Sequence, residues 1–232
     1  MKIMIAQPTF FPWIGYFDMI SQSDKFVILD DVDFNYQSWQ HRNNFKTPIG
    51  LKFFTIPVND GKKNKLINEI NFSDSSYIKK QFINFITSNY SKSKYFKTIK
   101  ENFINTFEKA LSKENLLYLN VEIIKCCLKY LKIETPIIYS SAINTKNKKT
   151  KRIIDICKKL HASEYLSTIG AKTYLENDKD LFKKENIKLI FHKYNHPNYS
   201  QLFGSFIPFA AVLDLIANEG EKSLDIIKSG RF

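Results

Sequence analysis

A short apolar run, Lys2-Ile3-Met4-Ile5-Ala6, halts at Gln7-Pro8, and a second, Lys25–Asp30 (KFVILD), follows before residue 31. Each is apolar at consecutive positions and too short for a helix, so each reads as a strand buried on both faces. Between them the sequence predicts a helix over about residues 14–22. Strand, helix, strand in so short a span is the βαβ pattern of a parallel sheet. This opening commits the chain to an α/β fold, a mostly parallel sheet with flanking helices of the nucleotide-binding kind.

The rest of the chain elaborates that start. Leu51–Val58 (LKFFTIPV) reads as a third strand, entered through the turn Thr47-Pro48-Ile49-Gly50. From Asp74 to about Ile133 the pattern is helical. Ile99, Phe103, Ile104, Phe107 and Leu111 recur at steps of three or four, and Leu116 to Leu131 repeats the theme. The expected organisation is one α/β domain from residues 1–70 and 135–232, with a helical insertion at 71–134. After it, Ile137–Tyr139 is a weak strand, Asn147–Leu160 a helix, Glu164–Leu166 a short strand, Asp178–Glu185 a helical piece and Ile187–His192 a strand. Ser205 is the expected N-cap of a helix Ile207–Asn218 that stops near Gly220.

With 232 residues, 44% hydrophobic and 25% charged, the chain has enough apolar material for a real core, which excludes a disordered or fibrous protein. No run of about 18 apolar residues exists, so no membrane span is expected. The start lacks a signal-peptide core with a small-residue cleavage site. Cys126, Cys127 and Cys157 are odd in number and lack metal spacing, so a reduced compartment, the cytoplasm, is expected. The net charge of +12 resides in residues 61–186, which hold 25 Lys and Arg against 13 Asp and Glu. Only Arg42, Arg152 and Arg231 are arginines, whereas base and phosphate readout favours Arg. A Lys-only excess fits solvated faces as well as it fits nucleic acid.

In a parallel sheet, ligands bind outside the carboxyl ends of the strands. The first strand delivers Gln7 and Pro8 there, the second Asp30 and Asp31, a later one Ser167 and Thr168, and the last His192. From Gln7 to Phe17 two prolines, three phenylalanines, a Trp and a Tyr crowd the first strand-to-helix connection. It serves either as a hydrophobic plug or as a cleft floor, with helix amides near Gly15 turned to an anion. Trp13-Ile14-Gly15-Tyr16 occupies the place of the His-x-Gly-His signature of nucleotidyltransferases and class I synthetases, but both histidines are replaced.

Asp30, Asp31 and Asp33 are candidates for a metal or a general base, or for caps of the following turn. Trp39 and His41 bracket a stacking ring and an imidazole beside Arg42, a ligand candidate or a surface ion-pair partner. Ser167-Thr168-Ile169-Gly170-Ala171-Lys172 reads as an anion nest followed by a cation, without the preceding glycine of a Walker motif. His192 and His196 flank Tyr194. No Cys stands near enough to complete a zinc site with them, so no metal is assigned there, and His192 serves as a base or as a structural imidazole.

Met1-Lys2-Ile3-x-Ile5-Ala6-Gln7-Pro8-x-Phe10-x-Pro12-x-Ile14-Gly15-Tyr16-Phe17 resembles the opening of the WbqC-like proteins. The similarity continues through Asp24-Lys25-Phe26-Val27, Asp30-Asp31-Val32 and Trp39-x-x-Arg42-Asn43. It resumes at Ser167-x-x-Gly170-Ala171-x-x-Tyr174-Leu175 and closes with Phe206-Ile207-Pro208 and Leu213-Asp214. The resemblance implies a place in O-antigen or other surface-polysaccharide biosynthesis, and transfer of a glycyl or related acyl group to the amine of an amino sugar. It implies no set of catalytic residues.

Topology and resemblance together give a specific expectation. A nucleotide-linked amino sugar docks its phosphates at Gly15 and at Ser167, Thr168, Gly170 and Lys172, near Gln7, and stacks its base on Trp13 or Tyr16. Trp39 lies beside Arg42, which holds a phosphate or carboxylate, and Asp30, Asp31 or His192 takes the proton as the amine attacks. The donor is an aminoacyl-tRNA, or an acid that the protein activates with ATP; a non-enzymatic scaffold of the glycan machinery is the remaining alternative.

Overall fold

The computed structural model describes residues 1–59 and 64–232. Among the described residues seven strands form: β1 (Lys2–Ala6), β2 (Lys25–Ile28), β3 (Arg42–Thr47), β4 (Gly50–Thr55), β5 (Ile137–Tyr139), β6 (Glu164–Ser167) and β7 (Lys188–Phe191). Five of them make a parallel sheet in the order β5-β2-β1-β6-β7. The chain winds outward from β1 to one side and then from β6 to the other. The order therefore reverses between β1 and β6, which makes that the place for a ligand crevice.

The absence of polar alternation in the strands has a direct structural cause, since both faces of the sheet are covered. Ile3, Ile5, Val27 and Tyr165 point into a core with Ile153, Ile156, Cys157 and Phe182 of the helices Lys149–Lys159 and Lys179–Lys184. Met4, Phe26, Ile28 and Leu166 point the other way, into a larger core shared with helix α1 (Ile14–Ser21) and with the C-terminal helices Val212–Glu219 and Ser223–Ser229.

Three expectations change. Leu51–Val58 does not join the main sheet. Its strand is β4, and it pairs antiparallel with β3 in a separate two-stranded ribbon joined by the tight turn at Gly50, where φ is +101°. The helix expected from Ile207 begins instead at Val212, with Ala211 and not Ser205 at the N-cap position and no side-chain cap. The residues before it run through bends, with Phe209 at φ +66°, and the end of that segment is tied down as Ala211 N–H donates to Asn44 O (2.8 Å) and Val212 N–H to Pro12 O (3.0 Å). The stretch Ile99–Ile104 winds as a π-helix inside the expected α-helical segment.

Residues 71–134 hold the helices Ser75–Tyr90 and Leu116–Tyr130 and the bent helical run Phe96–Leu111 between them. Asp74 and Asn115 cap the first and last of these through bonds from Tyr77 N–H and Tyr118 N–H. Their inner faces enter the larger core. Phe82 stacks on Phe107 at 3.9 Å and meets Phe10, Phe11 and Phe54 from the other parts of the chain.

Candidate active site at the carboxyl edge of the sheet

The aromatic connection after β1 is a packed joint. Phe10 and Phe11 are fully buried, and Phe11 sits at φ +41°, a conformation held by Asn43 Nδ2, which donates to the carbonyls of Phe10 (2.9 Å) and Phe11 (2.8 Å). Trp13 lies against Tyr194, His196 and Phe209, and its indole crosses Gly15 so closely that a Cβ there would stand 2.2 Å from Cη2. Gly15 is thus needed for the indole to pass. Tyr16 is buried, its hydroxyl donating to Gln7 O (3.0 Å), and burial pushes its phenol pKa up. Neither Gly15 nor Tyr16 offers the open anion site or stacking face expected of it. Gln7 is exposed at the strand end and accepts from Gln40 Nε2 (2.8 Å).

Asp30 and Asp31 follow β2 beside the end of β5. Asp30 caps the short helix Ser140–Ile143: it accepts from Ser141 N–H (2.9 Å), Ser141 Oγ (2.6 Å) and Ser140 Oγ (3.0 Å). Ser140 Oγ also meets Asp31, whose carboxylate pairs with Arg152 while Arg152 Nη1 donates to the Asp31 carbonyl (3.0 Å). Burial acts to raise the Asp31 pKa. The Arg152 hydrogen bond, the Ser140 hydroxyl and the Arg152 charge outweigh it and hold the carboxyl below the usual range. A carboxylate stabilised this way is a weak proton acceptor near neutrality. Asp33 is exposed and bridges to Leu66.

His192 continues from β7, with its N–H on Ser167 O (2.8 Å). Its Nε2 lies 2.7 Å from Oδ2 of Asp18, a residue of α1 with no exposed surface. An ionised carboxylate only accepts, so Nε2 carries a proton, and in the neutral imidazole the lone pair sits on Nδ1. Nδ1 has no partner among the described residues. Arg231 Nε donates to Oδ1 of the same carboxylate (2.6 Å) and Gln22 Nε2 to Oδ2 (2.6 Å), so Asp18 is neutralised whether or not His192 is charged. Tyr194 stacks on the imidazole at 5.2 Å.

The other histidines near this edge are committed. His41 Nδ1 bonds Ile56 O and its Nε2 accepts from Gln37 N–H (3.1 Å). His196 Nδ1 bonds Pro197 O and its Nε2 accepts from Phe209 N–H (3.1 Å). Burial pushes both imidazole pKa values down.

Ser167 is buried at the end of β6, while Thr168, Gly170 and Lys172 stand exposed on the turn that follows, and Lys172 pairs with Glu176 at 3.8 Å. Trp39 and Arg42 flank Phe53 on the outer side of the ribbon. By parallel register the ends of β1, β2, β5, β6 and β7 bring Gln7, Asp30, Ser141, Thr168 and His192 to one edge. Trp13 and Tyr16 pack beneath it.

The sequence reading missed Asp18, Arg231, Arg152, Ser140 and Ser141. Asp18 had a readable signal, being the lone charge in the helix IGYFDMIS. Cysteine chemistry finds no support here: burial raises all three thiols, Cys157 to about 12. Among the described residues no three His, Cys, Asp or Glu gather as a metal site. A cavity of about 480 Å³ lies elsewhere, between Cys126, Tyr130, Gly220 and Leu224, and none of Asp18, Asp30, Asp31 and His192 lines it.

A model described as the WbqC-like protein family matches residues 7–226. An uncharacterized protein of Mycobacterium tuberculosis, Rv1507c, is 30% identical over 229 residues, covering 98% of this chain and 97% of that one. No solved structure matches. No helix is long and apolar enough to cross a membrane among the described residues.

Proposed function

The chain belongs to the WbqC-like protein family, and from that premise we propose that it is an acyltransferase of surface-polysaccharide biosynthesis. It transfers a glycyl or similar acyl group to the amine of a nucleotide-linked amino sugar. The observation that carries the reading is His192, seated at the carboxyl edge with one nitrogen bonded to buried Asp18 and the other without a partner among the described residues. Such an imidazole is placed to accept a proton from a group that approaches its free nitrogen.

In the proposed reaction the sugar amine attacks the acyl carbon of an activated donor. The C–N bond forms, Nδ1 of His192 takes the proton that the nitrogen sheds, and the donor's leaving group departs with its electron pair. Asp18 keeps the Nε2–H tautomer in place, and Arg231 offsets the charge of that buried carboxylate. Asp30 and Asp31 hold the loop after β2 against Ser140 and Arg152, a positioning task. Thr168, Gly170 and Lys172 line the open turn on which phosphates rest. The three free cysteines fit a reducing compartment, the cytoplasm.

An aminoacyl-tRNA donor is favoured by one feature. Lys146, Lys148, Lys149 and Lys151 crowd the loop and first helical turn that follow β5, at this same edge. Cations at a helix N-terminus oppose the helix dipole and call for an anion. The test is mass spectrometry of a UDP- or dTDP-linked 4-amino sugar incubated with the protein, glycine and ATP, with and without glycyl-tRNA. A mass gain of one glycyl group is expected, and its dependence on the RNA names the donor. No adduct under either condition rejects acyl transfer.

A further inference from the structure

The ring expected to stack a base must be sought away from Trp13 and Tyr16, since the first is packed among Tyr194, His196 and Phe209 and the second is buried. The ribbon supplies two others. Trp39 is 51% exposed and Phe53 47%, with ring centroids 5.8 Å apart at 42°. The Arg42 guanidinium stands over Phe53, 4.5 Å from its centroid, and pairs with no carboxylate among the described residues. The group is fixed in space by backbone. Phe53 sits in the β3–β4 ladder opposite Asn44, and Trp39 O accepts from Phe10 N–H at 2.8 Å. Next to Trp39, Gln40 Nε2 donates to Gln7 at the end of β1, which ties the segment that carries Trp39 to the edge of the sheet.

We propose that Trp39, Phe53 and Arg42 form a binding site for a nucleoside diphosphate. Trp39 offers its open indole face to the base, Phe53 braces the indole from the side, and Arg42 answers the phosphates. The argument is one of complementarity. Two large rings kept in water on a rigid ribbon favour a planar apolar surface. A guanidinium with no carboxylate on it among the described residues favours an anion that it can grip through two parallel N–H bonds. A nucleotide presents both within a single small molecule. A sugar ring alone lacks the charge, and a lone phosphate lacks the ring.

This inference rests on the proposed substrate only for the choice of UDP as probe. Titration of the wild-type protein with UDP should quench tryptophan emission saturably, and the quenching should vanish in W39F. R42A should raise the half-saturation point by about tenfold or more, the loss expected when a charge-assisted contact is removed. F53A should raise it as well. Ribose 5-phosphate and methyl glucopyranoside, tested alongside, should leave the emission unchanged. Circular dichroism and melting of each variant confirm that the fold is retained.

Absence of saturable quenching by UDP, quenching that survives in W39F, or an equal response to ribose 5-phosphate or the glycoside overturns the site. Binding is read here without turnover. UDP quenching with no glycyl transfer would reject the proposed reaction alone; turnover without UDP quenching would reject this site alone.

Discussion

Asp18 is the residue on which the chemistry turns. It is buried without exposure in an otherwise apolar helix face, a placement that is costly unless the charge is paired and hydrogen-bonded. It receives bonds from His192, Arg231 and Gln22. An Asp18→Asn variant keeps the shape but can donate to Nε2, which would drive the proton to Nδ1 and remove the lone pair that takes the amine proton. Turnover should fall about 10²–10⁴-fold, the usual share of general-base catalysis. Nitrogen NMR of His192 should show Nε2–H in the wild type and a shift toward Nδ1–H in the variant. An unchanged tautomer would leave Asp18 with a purely structural role. The three arginines show what was legible at this scale. Their rarity marked them, and each attaches to a polar or aromatic group, Arg42 at Phe53, Arg152 at Asp31 and Arg231 at Asp18. Their partners were not legible, because a salt bridge spanning 213 residues leaves no local trace in sequence.

At the scale of elements, the buried parallel strands were readable because continuous apolar runs of that length have few other uses. β3 was not: its residues RNNFKT carry polar side chains that are buried by bonding elsewhere, Asn43 to Phe10 and Phe11, Lys46 to Ser205 O. The helix expected at Ile207 shortened for a similar reason, since bonds to Asn44 and Pro12 from distant segments override a local cap. Two connecting loops are pinned by His41 and His196, and these give the fold a pH dependence. In each ring Nε2 accepts an N–H, a bond that the imidazolium cannot make. Burial is the first cause of both lowered pKa values; Arg42 adds to it at His41, and the carbonyl bonds oppose it in part. The folded values lie below the unfolded value of about 6.5. The stability these rings add is therefore fully present above that pH and is lost as pH falls through the folded values. The melting temperature should drop between pH 7 and pH 5, by about 2–4 °C for each kcal/mol lost. Replacing both histidines by Gln should flatten the profile, and a wild-type profile already flat over this range would contradict the account.

For the molecule as a whole, the question is whether the helices of residues 71–134 unfold with the sheet or apart from it. Their sequence differs in character, being rich in Lys and helical in period, which suggests a separate unit. Packing joins them to the rest. Phe82 contacts Phe107 within the helices, but also Phe10 and Phe11 after β1 and Phe54 of the ribbon. Asn120, fully buried in the helix Leu116–Tyr130, donates to Gln40 O at 2.7 Å and to Pro8 O at 3.3 Å, at the edge where the candidate site lies. A core that takes rings from all three segments cannot lose one without exposing the others, so unfolding should be a single cooperative transition. Phe82→Ala removes the ring at the centre of that cluster. It should cost about 3–5 kcal/mol and lower the melting temperature by roughly 6–20 °C. The decisive observation is the shape of the melt. One shifted transition, seen alike by calorimetry and by far-ultraviolet circular dichroism, means that the helices and the sheet share a fold and that the candidate site depends on both. Two separated transitions, the first carrying only helical signal, would mean that the site edge survives without the helices and that Asn120 contributes nothing to holding it.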